Sequence, residues 1–334
     1  MGSALMPCSP LVSLAPALRV VNLDPDGYFD DSIWPTVRLE YMGIRTVTGR
    51  KRMQRDVTDM GSNVQRIAVG PRGSPGQYPP NVFLITGESR AVFVDTAYGK
   101  DDEIEAALGA WKAKGSLPVA AIVLSHRHED HIGGAARLRE VTGGDVVAAA
   151  DERDGIAEQS SGLRIDAVVA DGDTMDLGGV TLEFIEAPGH TMGSVCVLYR
   201  EEGVLFTGDT ILGGSTTAIS PDHGDMGLYV ESLRKLLKYD ARVIGPGHGP
   251  VIDDPKAKIE KLIGHRESRE RQMLGLLNDG VATVDELFGS LYDGLKPGLH
   301  DSARQQIRAH LMKLQREGRV EVGTDGVYTV SETS

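Results

Sequence analysis

The chain has 334 residues, 40% of them hydrophobic and 25% charged, with 41 glycines. That composition is globular and excludes a disordered or fibrous polymer, and at roughly 150 residues per domain the length predicts about two domains. Lys and Arg number 35 against 48 Asp and Glu, a formal charge of −13, which repels polyanions at long range and argues against a broad nonspecific nucleic-acid footprint.

Two cysteines, Cys8 and Cys196, cannot build a disulfide framework, and Cys196 lies in the apolar run Ser194-Val195-Cys196-Val197-Leu198. This usage fits a reducing compartment. Residues 1–20 are mildly apolar, but Pro7, Pro10 and Pro16 interrupt them and no basic residue precedes them, a poor match to a secretory signal. No stretch of 18 apolar residues occurs, so no membrane-spanning helix is expected. A cytoplasmic protein is the expectation.

In chain order, residues 1–60 hold short extended candidates at 18–23 and 37–42 and a charged run at 50–56, and read as an extension without chemistry. Strand-like runs follow at 64–69, 82–86 and 91–95, separated by Gly and Pro. Acidic residues open a predicted helix over 101–114, where they complement the helix N-terminus. The run 119–124 is wholly apolar, as in a strand buried on both faces. Helices near 133–140 and 228–238, with strands at 181–185, 195–199 and 204–207, complete an alternation that predicts layered α/β packing. Asp254 and Pro255 predict the start of a long helix that Gly280 closes. Thr283 with Glu286 matches a capping box, and Ala303, Ile307, Leu311 and Leu314 fall at helical spacing before Gly318. The runs 319–322 and 326–330 read as a hairpin turning at Asp325-Gly326. Helix, helix and hairpin outline a small winged-helix module. The predicted division is a 1–60 extension, a 61–262 main domain, and a 263–334 linker helix with winged-helix-like domain.

Chemistry concentrates in the histidines. Three of the nine fall in the window His126-Arg127-His128-Glu129-Asp130-His131, directly after the apolar run 119–124 and before Gly133-Gly134. A loop at a strand's C-terminal end is where α/β sheets place their sites. Histidines two apart on an extended turn can pinch one metal ion, while Asp130 and His131 face differently and can serve a second. Neutral imidazole and carboxylate are what Zn²⁺ selects where no thiolate is present. His190, in Pro188-Gly189-His190, Asp209, in Gly208-Asp209-Thr210, and His248, in Gly247-His248-Gly249, each lie just past a strand end beside glycine. Singly, each has an ordinary reading as a turn histidine or a helix cap. In this order, all at strand ends, they point to one site.

The series His126-x-His128-x-Asp130-His131, then His190, Asp209 and His248, resembles the full ligand set of the metallo-β-lactamase superfamily, over about residues 63–265. The chain is most similar to the lactamase-like branch with a C-terminal winged-helix module, which includes a mitochondrial single-stranded-RNA endonuclease. The phrases at 208–213 and 246–252, with His265-Arg266-x-x-Arg269-Glu270, carry that likeness. The general motifs also resemble glyoxalase II. The resemblance implies an α/β fold, an αββα sandwich with the site at one edge of two facing sheets. It implies a first metal on His126, His128 and His190 and a second on Asp130, His131 and His248, with Asp209 bridging. Two Zn²⁺ per chain are expected, with iron or manganese as alternatives. The diiron electron-transfer branch carries Glu where this chain has His128, which argues for hydrolysis. Iron-dependent sulfur dioxygenases share the histidine motif but not the winged-helix outline.

Two metals about 3.5–4 Å apart can share a hydroxide, which then attacks a carbonyl or phosphorus. Asp130, beside that nucleophile, is the candidate for proton transfer. Glu129 is expected to point outward, His223 to be a solvated loop residue, His265 to pack near the domain junction, and His300 and His310 to be structural. Tyr229 either packs or reaches the substrate. The leading expectation is a hydrolase of a thioester, ester or lactone, on a small-molecule or acyl-carrier substrate. The alternative is an RNA endonuclease, for which Arg304, Arg308 and Arg316 give a modest basic stripe. Against it, residues 281–334 hold six Lys and Arg and eight Asp and Glu. The module is therefore expected to cap the active site or to form a homodimer interface.

Overall fold

Two β-sheets lie face to face in the computed structural model, which describes residues 54–70, 78–160 and 162–331. The strand candidates at 18–23 and 37–42 lie outside these residues. The first sheet has seven strands in sequential order: β1 (Gln54–Asp59), β2 (Val64–Gly70), β3 (Asn81–Thr86), β4 (Ala91–Val94), β5 (Val119–Val123), β6 (Asp145–Ala149) and β7 (Ala167–Val169). β1 to β4 are antiparallel neighbours, whereas β4 to β7 are parallel. Parallel pairing requires crossovers, and helices α1 (Asp101–Ala113), α2 (Glu129–Ile132), α3 (Ala135–Thr142) and α4 (Arg153–Gln159) supply them. The second sheet runs β12-β11-β10-β9-β8, comprising β8 (Thr174–Asp176), β9 (Thr181–Glu186), β10 (Val195–Tyr199), β11 (Val204–Gly208) and β12 (Val243–Pro246). Helix α5 (Met226–Leu236) joins β11 to the parallel β12.

The runs read as strands form because their apolar residues are buried on both faces. Every residue of β3, β4, β10 and β11 is buried. One set of side chains meets between the sheets, where Phe83, Val92 and Val123 pack with Phe184, Val197 and Phe206. The Phe83 and Phe206 rings sit 4.8 Å apart at 54°, a tilted contact that adds about 1 kcal/mol to the area buried. The opposite face of the first sheet buries Phe93 and Ile122 against Ile104, Ala107 and Leu138 of α1 and α3. The opposite face of the second buries Cys196, Leu198 and Leu205 against Tyr229, Val230 and Leu233 of α5 and Ile259 and Leu262 further on. Helix, sheet, sheet, helix is the αββα order.

β1 departs from the sequence reading. It falls within the stretch taken as an extension, yet pairs with β2 from Gln54↔Gly70 to Asp59↔Gln65. Its sequence, QRDVTD, has almost no apolar residues because it is an edge strand with an exposed side, Val57 being 42% exposed.

The C-terminal part hangs on one long helix, α6 (Pro255–Asn278), with Asp254 accepting from the Ala257 N–H as its cap. Leu262 of α6 lies in the core beneath the second sheet, while Met273 and Leu277 lie in a separate core. That core also contains Leu287 of α7 (Val284–Leu291), Ile307, Leu311 and Leu314 of α8 (His300–Arg316), and Val320 of the hairpin β13 (Val320–Val322) and β14 (Tyr328–Val330). Thr283 and Glu286 close the expected capping box on α7. Among the described residues no helix is long and apolar enough to cross a membrane.

Candidate metal centre

Strand direction brings the histidines together. β9, β11 and β12 run the same way, since β9 and β11 are each antiparallel to β10 and β12 is parallel to β11. His190, Asp209 and His248 therefore leave the second sheet at one edge. β4 and β5 are parallel in the first sheet, so Asp95 and the 126–131 loop leave it together. Main-chain bonds join the two edges: Val195 N–H donates to Ser125 O at 2.9 Å and Asn81 N–H to Gly247 O at 2.7 Å. Gly208 adopts φ +46°, and a Cβ on Gly247 would stand 2.5 Å from Asp209 Oδ1. Both glycines are required for this approach.

All seven residues expected as ligands converge. His126 Nε2 lies 2.9 Å from His128 Nδ1, which lies 3.0 Å from His190 Nε2. His248 Nε2 lies 3.2 Å from both His131 Nε2 and Asp130 Oδ2. Asp209 stands between the two groups. Its Oδ1 is 3.4 Å from His131 Nε2 and 3.6 Å from His248 Nε2, while its Oδ2 is 3.9 Å from His190 Nε2. Three sets could each hold a metal ion: His126, His128 and His190; Asp130, His131 and His248; and His126, His131 and Asp209. Asp209 Oδ1 is buried without a hydrogen-bond partner, and such an atom calls for one. Imidazole nitrogens meeting at 3 Å cannot each find a proton to share. A cation at each group answers both needs.

The outward nitrogens fix the tautomers. His190 Nδ1 meets Ala218 O at 2.9 Å, His248 Nδ1 meets Tyr78 O at 3.0 Å, and His131 Nδ1 meets Asp95 Oδ2 at 2.7 Å. Each acceptor calls for an N–H at Nδ1, which in the neutral ring leaves the Nε2 lone pair facing inward. Asp95 also accepts from Ser125 through N–H and Oγ, both at 2.8 Å, and Ser125 Oγ lies 3.0 Å from His126 Nδ1. One carboxylate thus orients two histidines, from backbone at φ +59°. Glu152, fully buried, accepts from Arg127 Nε at 2.7 Å and Gly193 N–H at 3.0 Å, clamping the 126–131 loop to the loop of His190. Asn81 donates to Pro246 O and Gly249 O, on either side of His248. Asn81→Ala leaves those buried carbonyls unpaired and should cost about 1–3 kcal/mol, read as a lowered midpoint in denaturant with an unchanged slope.

Burial pushes the His126, His128 and His190 imidazoles down, His128 to about 3, so all three keep free lone pairs near neutrality. Burial opposes the charged form of His131 too, but Asp95 and Asp209 raise it well above the usual histidine range. The Asp209 carboxyl, which burial would raise, is held low by His131, His248 and His190. The pocket stabilises positive charge beside its carboxylates.

Other residues fall as expected or correct the reading. Glu129 is exposed, and His300 Nε2 bonds Leu295 O at 2.8 Å. Tyr229 is fully buried, with Arg266 5.2 Å over its ring, so it packs and does not reach a substrate. His265 is exposed on α6, and the packing expected of it falls instead to its neighbour Arg266, 3% exposed and bonded to Thr217 O at 2.6 Å. His223 is half-buried with its ring edge-on to His128 at 5.2 Å, closer to the centre than a solvated loop residue would be. Of the expected basic stripe, Arg304 is bonded to Asp285 at 2.7 Å and stacked on Phe288, and Arg316 is paired with Asp225, leaving Arg308 exposed. A cavity of about 410 Å³ lined by Glu267, Glu270, Lys313 and Arg319 contains none of the seven residues, and Lys313 pairs there with Glu270 at 3.0 Å.

An αββα sandwich with a histidine and aspartate cluster at the shared edge of its sheets defines a metallohydrolase-type protein. The chain belongs to the metallo-beta-lactamase superfamily: residues 75–248 match that family, and residues 283–327 match the beta-lactamase associated winged helix domain. It is 30% identical over 245 residues to the beta-lactamase-like protein 2 homolog of Caenorhabditis elegans, covering 72% of this chain and 80% of that one. It is 27% identical to the atrochrysone carboxyl ACP thioesterase of Aspergillus fumigatus, covering 74% of this chain and 80% of the relative. The crystal structure of a metallo-beta-lactamase family protein from Thermus thermophilus superposes with a TM-score of 0.63 at 25% identity, over 75% of this chain and 93% of that one.

Proposed function

We propose that the chain is a binuclear, zinc-dependent hydrolase of an acyl carbonyl, with a thioester, ester or lactone as substrate. The observation that carries this reading is Asp209, whose two carboxylate oxygens face two separate ligand groups and whose Oδ1 lacks any other partner. His126, His128 and His190 would hold one ion, and Asp130, His131 and His248 the other. Bound ions would supply Lewis acidity and bring the pKa of a water between them towards neutrality. The chain's own groups do the rest. Asp95 and Ser125 keep the imidazole lone pairs inward, Asp209 holds the two groups together, and Asp130, at the open side of the cluster, receives and passes on a proton.

The thioesterase name of the Aspergillus relative supports an acyl thioester, free or on a carrier protein. The internal pairing of Arg304 and Arg316 weighs against RNA as the substrate, since each guanidinium already has a carboxylate partner and Arg308 is the one exposed arginine left in the stripe. Purified protein offered thioesters, esters, lactones and single-stranded RNA should hydrolyse an acyl substrate in a chelator-sensitive way and leave RNA mostly intact at physiological salt. RNA cleavage that His128→Ala abolishes would reverse the assignment.

A further inference from the structure

We propose that His223 is a substrate-binding side chain of this centre, and that α8 of the winged-helix domain sets its place. The geometry stands on three observations. First, the His223 ring meets the ring of His128, a member of the first ligand group, edge-on at 5.2 Å and 90°. Second, the hydrogen bonds among the described residues include none to a ring nitrogen of His223, although the ring is half-buried; its one N–H and one lone pair are free for a ligand. Third, the loop carrying it is built with care. Gly224 N–H donates to Ser220 O at 2.8 Å and Asp225 N–H to Gly189 O at 2.8 Å, beside the ligand His190. A Cβ on Gly224 would stand 2.5 Å from His190 O, so the loop lies directly on that backbone.

The flanking acids both reach α8. Gln305 Nε2 donates to Asp222 Oδ2 at 3.3 Å, and Arg316 pairs with Asp225, which also caps α5 through Leu228 N–H at 2.9 Å. Arg266 strengthens the same side, joining Gln306 of α8 at 3.2 Å to Thr217 O, while Thr217 Oγ1 donates to Asp209 O at 2.8 Å. Through Gln305 and Arg316, α8 is partly spent on the catalytic domain. Its role here is to hold an imidazole beside the metal centre. An imidazole so placed bonds the second oxygen of the carboxylate product, or the alkoxy oxygen of an ester or lactone, while the first oxygen faces the metal ligands.

The inference rests on the hydrolase reading for its kinetic arm and is independent of it for its binding arm. The experiment uses the full zinc-loaded chain as wild type, His223→Ala, His223→Gln and a Gln305→Ala, Arg316→Ala double variant. Zinc content, KM and kcat on the acyl panel, and the acetate Kd by calorimetry are measured for each. His223→Ala should raise KM and the acetate Kd about tenfold, the size of one lost hydrogen bond, with zinc content unchanged and kcat moved less. His223→Gln should recover most of both, and the double variant should shift both in the same direction by a few fold. Equal KM and equal acetate Kd in wild type and His223→Ala overturn the proposal, as does loss of zinc from that variant. If wild type turns over no acyl substrate, the hydrolase reading fails, and the acetate constants alone decide His223.

Discussion

Asp209→Ala should lose most of its activity, by on the order of a thousandfold or more if the two groups act together, and should retain less than the wild-type metal content after dialysis. The reason lies in its position. Its Oδ1 faces His131 and His248 and its Oδ2 faces His190, so its carboxylate is the negative charge between the two groups. Without it, two cations would face each other across the gap with less compensation, and at least one should bind weakly. The fold should survive, because β11 is buried along its whole length and its partners on both sides are strands. A plain helix-cap role predicts another result, a loss of about 1 kcal/mol in stability with metal content unchanged. Elemental analysis of wild type and variant separates the two. Two metals in both proteins with near-normal turnover would remove Asp209 from the centre and the binuclear reading with it.

The site was legible where its signals are local. The 126–131 window, the Gly-flanked His190, Asp209 and His248, and the apolar runs before them all sit within a few residues of their own evidence. The groups that orient the ligands were not legible, because their partners are remote. Asp95 serves His131 across 36 residues, Asn81 reaches Pro246 across 165, and Arg266 reaches Thr217 across 49. Asp95 carried a faint signal, a lone acid closing the apolar run 91–94 on the strand that neighbours β5. The winged-helix outline was readable from its caps and helical spacing. Its docking through Gln305 and Arg316 was not, since ion pairs on exposed faces leave no periodic trace. Short or polar edge strands such as β1, β7 and β8 escaped for a similar reason: they bury too little to show alternation.

Asp95→Asn should weaken metal binding by about 10–100-fold, the usual effect of losing the carboxylate behind a ligating histidine, while leaving the fold intact. The substitution keeps the shape and tolerates the left-handed backbone at φ +59°, which asparagine adopts far more readily than alanine. What it changes is the proton inventory. Asp95 Oδ1 accepts from Ser125 N–H, and Oδ2 accepts from both His131 Nδ1 and Ser125 Oγ. An amide must place its NH₂ at one of these positions. Facing Ser125 N–H it would set donor against donor. Facing His131 it would demand a lone pair at Nδ1, which moves the proton to Nε2 and turns the inward nitrogen away from metal binding. Through Ser125 Oγ, the same exchange disturbs His126, which contributes to the other group. Metal binding at both groups should therefore weaken, at the group of His131 more. Competition with a chromophoric chelator gives both constants, and circular dichroism checks the fold. Unchanged constants in the variant would show that Asp95 merely fills space between the sheets, and that the orientation of His131 is set by packing alone.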